Sequence, residues 1–471
     1  MDRRTFLAVG GAALARAAEG QGQKPTRRPD VLFLAIEDVS PHRFACYGNR
    51  VCKTPHIDRF AKTALRFDNA HTSPPCCPSR TAVLLALRPE TTKVFGNRDD
   101  FHKLCPNALT MPRHFRNQGY KTIRCGKIYH GRYEDDASWS RVISPSEGLA
   151  ARTHKRRPPR GPGALFAKEL RELRKKGRGG SSFSYGPSGL DDLEETDGRI
   201  AEQGIRVLRA TRDKPLFLAL GFHKPHLPFI APDKYFAMYP ADKMEIPRNP
   251  GSDENGMPPK GRKLNKLNPH TPEQWRGAIA AHYACLSFID AQVGRVLDAL
   301  EKTGRANDTI VFLWSDHGFM LGEHYLWRKG PLREHSTRVA LLVRAPGVTK
   351  PGTVCTRPVE SMDMFPTMFD LCGVPIPEGL EAISMKPLLE DPARAWKKGA
   401  LMCGGRRGKS IVTERWRYNE YAGRPDAAEL FDHKNDPAEF HNLARDPRHG
   451  DVVAKLSALL RGGWKACLPE R

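Results

Sequence analysis

The chain has no apolar run long enough to cross a bilayer, no cysteine–histidine spacing of a zinc finger, no basic zipper and no aromatic-basic ribonucleoprotein motif. A membrane-spanning helix needs about 20 apolar residues, so a membrane span is not expected. The other absences remove the specific signals of nucleic-acid readout, and no nucleic-acid partner is expected. Acidic residues are the scarcer charge: 53 Asp and Glu stand against 76 Lys and Arg, a net charge of +23. Such a surplus favours an anionic partner, whether nucleic acid, an acidic membrane surface or a polyanionic glycan, and charge alone does not choose among them. The eleven cysteines are an odd number, and their spacing fixes no disulfide connectivity.

With 471 residues, 39% of them hydrophobic, the chain can bury a sizeable core. Two or three domains, or one large α/β domain with an appendage, both fit that length. Residues 1–25 carry paired arginines at Arg3-Arg4, then Thr5-Phe6-Leu7, a short small-residue apolar run and Ala15-Arg16-Ala17. This is the order of an export signal of the twin-arginine type, so a periplasmic or secreted location is expected.

Cys76-Cys77-Pro78-Ser79-Arg80 opens an apolar run of helical length, residues 79–87, with Ser79 as the N-cap type. Cys76 is then expected in the turn just ahead of a helix N-terminus, where backbone N–H groups favour an anion. Arg80 adds a forked, permanent cation suited to a tetrahedral oxyanion. The alternative reading is a buried structural thiol or half of a disulfide.

Four apolar runs read as buried strands of a mostly parallel sheet with helices between them: residues 30–36, 120–125, 215–220 and 309–314. They end in Glu37-Asp38, in Gly126-Lys127-Ile128-Tyr129-His130, in Gly221-Phe222-His223-Lys224-Pro225-His226 and in Ser315-Asp316-His317-Gly318. In such sheets ligands bind outside the carboxyl ends of the strands, so these groups are expected in one crevice. Glu37, Asp38 and Asp316 offer oxygen ligands beside His317, a set that selects calcium or magnesium. Lys127, His130, His223 and Lys329 supply cationic donors and proton carriers.

Cys-x-Pro-Ser-Arg resembles the signature of the type I sulfatases. In that family the cysteine is oxidised after translation to formylglycine, which implies a formylglycine at position 76 and a formylglycine-generating or equivalent maturation enzyme as a partner. The family's usual Leu-x-Thr-Gly continuation is replaced by Val83-Leu84-Leu85-Ala86. Further stretches resemble iduronate-2-sulfatase and its bacterial relatives: Arg88 to Val94, Gly126 to His130, Gly221 to Phe229, Ser315 to His324 with Trp327 and Lys329, and Asp363 to Thr367.

The resemblance implies an alkaline-phosphatase-like large α/β domain over residues 28–350 and a smaller C-terminal subdomain with an antiparallel sheet over 351–471. It places the metal site on Glu37, Asp38, Cys76, Asp316 and His317, although the family more often has aspartate where Glu37 stands. Sulfate binding and proton transfer fall on Arg80, Lys127, His130, His223 and Lys329. The implied chemistry is attack on sulfur by one hydroxyl of the hydrated aldehyde, with the bridging alcohol leaving; a base then takes the proton of the second hydroxyl, sulfate leaves and the aldehyde returns. The expected substrate is a sulfated carbohydrate, with a phosphate or phosphonate ester hydrolase or a non-enzymatic polyanion-binding protein as alternatives. Residues 152–180 form an unusual basic insert with an expected helix over 164–176, read either as a solvated loop or as a clamp for a polyanion.

Overall fold

The fold was obtained as a computed structural model, which describes residues 28–131, 133–153, 155, 183–210, 213–253, 256–258 and 268–470. The expected export signal, and the expected insert apart from residues 152, 153 and 155, lie outside the described residues.

Eight strands form the main sheet. In chain order they are β1 (Asp30–Ile36), β2 (Leu65–Phe67), β3 (Lys121–Gly126), β4 (Arg141–Ile143), β5 (Leu216–Gly221), β6 (Thr309–Ser315), β7 (Leu341–Arg344) and β8 (Val354–Cys355). Their spatial order is β8-β2-β7-β6-β1-β5-β3-β4. Strands β4, β3, β5, β1 and β6 are mutually parallel, and β7 pairs antiparallel with both β6 and β2. The four strands expected from apolar runs form the centre of this sheet.

The unbroken apolar character of β1 follows from burial on both faces. Val31, Phe33 and Ala35 point into one core, shared with Leu84 and Leu85 of helix α1 (Cys76–Leu85). Leu32, Leu34 and Ile36 point into the other. That second core is filled by α2 (Thr196–Arg209) and the long α3 (Pro272–Lys302), whose Thr271 cap accepts from the Gln274 N–H. With both faces covered, the strand ends are the accessible edge of the sheet.

A second sheet is antiparallel and consecutive: β9 (Ala400–Gly404), β10 (Gly408–Val412), β11 (Trp416–Tyr421) and β12 (Glu429–Asp432), backed by α4 (Gly450–Ala466). The large sheet takes one more short strand beyond residue 350. Strand β8 pairs with β2, and Met364, Phe365, Met368 and Phe369 pack in the same core as Val31 and Phe33. We propose the division between Glu390 and Ala400, just ahead of the four-stranded antiparallel sheet.

Candidate active site

Strand β1 delivers Glu37 and Asp38, and its neighbour β6 delivers Asp316 and His317. The parallel register sets Ile36 beside Ser315, so both acidic steps emerge together. Backbone bonds stitch them: Asp316 N–H donates to Ile36 C=O at 2.9 Å, and Val39 N–H to His317 C=O at 3.1 Å. Asp38 sits at φ 54°, a left-handed conformation that aspartate tolerates better than most residues. That turn lets its N–H donate to Asp316 Oδ1 at 3.0 Å, while His282 from α3 meets its carbonyl at 3.1 Å.

Cys76 is the first residue of α1, not a residue ahead of it, and Ser79 is not the cap. The Ser79 hydroxyl is spent on tertiary bonds instead, with Thr72 Oγ1 at 2.7 Å and with the Asp316 carbonyl, which ties the first turn of α1 to the end of β6. The Cys76 side chain is fully buried. Its Sγ lies 3.1 Å from His317 Nε2, 3.0 Å from Lys329 Nζ and 4.0 Å from Asp38 Oδ1. One turn on, Arg80 donates from Nε to Asp316 Oδ2 at 3.0 Å and from Nη1 to the carbonyls of Lys127 and Ile128. Its buried Nη2 has no hydrogen-bond partner among the described residues. The helix closes at Ala86, held at φ 50°, where glycine would be unstrained.

Strands β3 and β5 bring the other side. Their ends approach so closely that glycine is required: a Cβ on Gly221 would lie 1.9 Å from the Lys127 carbonyl oxygen, and one on Gly126 2.1 Å from that of Gly221. This contact turns Lys127 inward to an ion pair with Glu37. Lys329 arrives from the loop after β6, 2.5 Å from Asp38 Oδ1. His130 is largely withdrawn from solvent, and its Nδ1 has no partner among the described residues.

His223 and His226 divide. His223 is held by Asp197 of α2, which accepts from its backbone N–H at 2.7 Å and lies 3.3 Å from its Nδ1, and the imidazole is 43% exposed. His226, absent from the expected set, turns inward with Nε2 4.0 Å from Asp38 Oδ2 and Nδ1 2.7 Å from the Leu227 carbonyl. That carbonyl makes Nδ1 the protonated nitrogen and leaves the Nε2 lone pair facing the carboxylates. A second histidine three residues after His223 was visible in sequence; what decides between them is the anchor on Asp197, which is far away in the chain.

Burial opposes ionisation of Asp38 and Asp316, yet both are held below the ordinary carboxylate value. For Asp38 the outweighing groups are Lys329, His226 and His317; for Asp316 they are His317, Arg80 and Lys127. Burial would lower Lys329, but Asp38, Cys76 and Asp316 raise it. Burial lowers Lys127 to about 8. It also lowers His130 to about 3, assisted by Lys127 and Arg80, and His226 to about 4. Both imidazoles are therefore neutral near pH 7. The Cys76 thiol is pushed up to about 12, chiefly by burial, so as a thiol it is a poor nucleophile.

The donor set suits a hard divalent cation. Ligand atoms of Glu37, Asp38, Cys76 and His226 lie within 4.8 Å of one another, as do those of Cys76, Asp316 and His317. Together they offer three carboxylates with imidazole nitrogens and no thiolate cluster. Glu37, Asp38 and Asp316 balance Lys127, Lys329 and Arg80 in formal charge. A divalent cation would leave the crevice net positive, the state that attracts an anionic ester.

Residues 29–374 match the sulfatase family, and residues 322–463 match the family described as N-sulphoglucosamine sulphohydrolase, C-terminal. A parallel sheet with this carboxylate, lysine and cysteine cluster at its strand ends is that of a hydrolase of the alkaline-phosphatase-like class. The chain belongs to the sulfatase family, the sulfuric ester hydrolases. It is similar to a sulfatase of Formosa agariphila, 31% identical over 98% of this chain and 92% of that protein. It is also similar to human iduronate 2-sulfatase, 28% identical over 96% of this chain and 97% of that one. In fold it is similar to the phosphonate monoester hydrolase of Agrobacterium radiobacter, with a TM-score of 0.72 and 22% identity over 93% of this chain and 96% of that one. No helix among the described residues is long and apolar enough to cross a membrane.

Proposed function

We propose that the protein removes sulfate from a sulfated carbohydrate, using formylglycine at position 76 and a divalent cation, calcium or magnesium. The observation that carries this reading is the setting of Cys76: a buried first helical residue beside His317, Lys329 and Asp38, with an unpartnered Arg80 nitrogen one turn away. Conversion of the thiol would supply a hydrated aldehyde as the nucleophile at this position. Glu37, Asp38, Asp316, His317 and position 76 would hold the cation, with His226 as a further donor. When bound, the cation supplies Lewis acidity to the nucleophilic oxygen and the sulfuryl group.

The chain's own residues account for the remaining demands. Arg80 Nη2 and the ammonium groups of Lys127 and Lys329 offset charge on the sulfuryl oxygens. His223 stands at the exposed rim with Asp197 on its Nδ1, which orients Nε2 toward the leaving sugar oxygen. It or Lys329 protonates that oxygen. His130, neutral and beside the cations, takes the proton of the second hydroxyl when sulfate is released. The maturation partner would be a formylglycine-generating or equivalent enzyme. The signal-like residues 1–25 support export to the periplasm or beyond, by the twin-arginine route.

A phosphonate or phosphate ester hydrolase is the second reading, favoured by the fold likeness to the Agrobacterium enzyme. A panel of a 2-O-sulfated uronate disaccharide, an aryl sulfate, a phosphonate monoester and a phosphate diester separates the two. The expected order places the sulfated disaccharide first. Faster turnover of the phosphorus esters would overturn the assignment. Mass spectrometry of the peptide containing position 76 is expected to show the mass of the aldehyde rather than of the thiol.

A further inference from the structure

We propose that the open end of the helix-backed face of the C-terminal sheet is an exosite for a long sulfated polysaccharide, a second binding site that feeds the Cys76 crevice. The proposal rests on the glycan-sulfatase reading for its ligand and on the following geometry for its place. Strands β10 and β11 pair Lys409 with Glu420 and Ile411 with Tyr418, and these side chains share the face backed by α4. Leu456 and Leu460 of α4 cover one end of that face. Beyond them a cavity of about 410 Å³ opens, walled by Arg406, Arg407, Lys409, Arg424 and Arg461.

Those five cations are all exposed, and Glu420 is the one carboxylate among the described residues of the wall. Glu420 is already engaged, accepting from Ser457 Oγ at 2.5 Å, from the Tyr418 hydroxyl at 3.0 Å and from Arg461 at 3.3 Å. The remaining neutralisation is weak. Arg424 meets Asp426 at 3.4 Å, and Lys409 reaches Glu90 only at 4.0 Å, both on the surface, where such pairs contribute little. The wall is a concentrated positive field beside the partly exposed Tyr421. Cations bind sulfate groups, so the chemistry fits a sulfated chain.

The cavity is mechanically tied to the active site. Hairpin residues Gly404 and Gly408 seat on Leu332: a Cβ at 404 would lie 2.7 Å from Leu332 Cγ, and one at 408 3.0 Å from its Cδ1. Leu332 is three residues past Lys329, and Tyr421 packs against the same small apolar cluster. A smaller cleft shares Arg407, Tyr421 and Arg424 and continues to Glu429, which pairs with Arg333 of that loop. On the other side of the hairpin, Arg406 lies over the Phe95 ring, two residues from the Asn97 that accepts the Cys77 N–H. A chain held in the cavity would therefore present its next sugars near the crevice at high effective concentration.

The test uses the full-length chain carrying Cys76→Ala, so that binding is read without turnover. Fluorescence anisotropy would compare a labelled heparin-derived decasaccharide with the corresponding disaccharide. The pocket variant is Arg407→Glu/Arg424→Glu. The control is Lys62→Glu/Lys302→Glu, an equal charge change on exposed residues outside the cavity. The pocket variant is expected to lose about tenfold in decasaccharide affinity and to keep disaccharide affinity within about twofold, while the control keeps both. Unchanged decasaccharide binding, an equal loss for both ligands, or an equal loss in the control would overturn the exosite. Equal binding of a single-stranded oligonucleotide of matched charge, lost through the same two substitutions, would overturn its assignment to a glycan. Pocket-dependent decasaccharide binding together with no sulfate release from any glycan by the Cys76 chain would defeat the sulfatase substrate reading and leave the exosite standing.

Discussion

Lys329 Nζ lies 3.0 Å from Cys76 Sγ. The contact places an ammonium, itself held by Asp38, on the atom that would carry the nucleophile. Lys329→Met is expected to lower kcat by about 100-fold or more, the usual cost of removing one donor aimed at developing charge. KM should move far less. A kcat within a few-fold of wild type in a folded variant would remove Lys329 from the mechanism.

Cys76→Ala should abolish sulfate release without unfolding the protein, because the role proposed for this position is covalent and no neighbour replaces it. Cys77 points elsewhere: its Sγ is 3.4 Å from the Asp99 carbonyl and 4.0 Å from Thr81 Oγ1. Cys77→Ala should keep most of the activity and cost about 1 kcal/mol of stability through lost packing. Activity that survives at 76 and dies at 77 would show the motif to be read one residue out.

Chelation should remove activity, and calcium or magnesium should restore it. A cation bound only by the folded state also stabilises it, by about 2.7 kcal/mol at 100 times Kd, so added calcium should raise Tm. Asp316→Asn should weaken both responses. Stoichiometric zinc on metal analysis, with calcium inert, would contradict the donor set.

The ion pair between Arg43 and Glu323 clamps the loop after β1 to the loop after β6. Burial would raise Glu323, but Arg43 and His335 lower it from 4.5 to about 2. A depressed carboxylate contributes stability above its unfolded pKa and loses it on acidification, here as pH falls from about 4.5 toward 2. Arg43→Met should cost about 3 to 5 kcal/mol at pH 7 by leaving a buried charge unpaired. Denaturant midpoints from pH 7 to 3 should show that gap narrowing below pH 4.5. A gap that stays constant would mean that Arg43 acts through packing alone.

Reading from sequence worked where one local rule dominates. Continuous apolar runs marked β1, β3, β5 and β6, because two-sided burial leaves no polar alternation. The same runs located Glu37, Asp38, Lys127, Asp316 and His317 at their ends. It failed where long-range partners decide. Strands β2, β4 and β8 are two or three residues long and exist only through pairing with distant segments. Ser79 has the residue type of a cap, yet Thr72 and Asp316 claim its hydroxyl. His226 and His223 look equivalent until Asp197 anchors one of them. Val354–Cys355 gives no local sign that it pairs into the large sheet.

The complete burial of Cys76 sets an order of events in time. A modifying enzyme cannot reach a side chain packed among His317, Lys329 and Asp38, so the proposed conversion would have to act on the chain before the first turn of α1 docks on β6. Oxidation and folding would then compete for the same nascent segment, and the fraction of active molecules would be the conversion rate divided by the sum of the two rates. Slower synthesis or a transiently destabilised α1 should raise the active fraction in a given host, while rapid folding should lock in inert thiol that no later treatment of the native protein recovers.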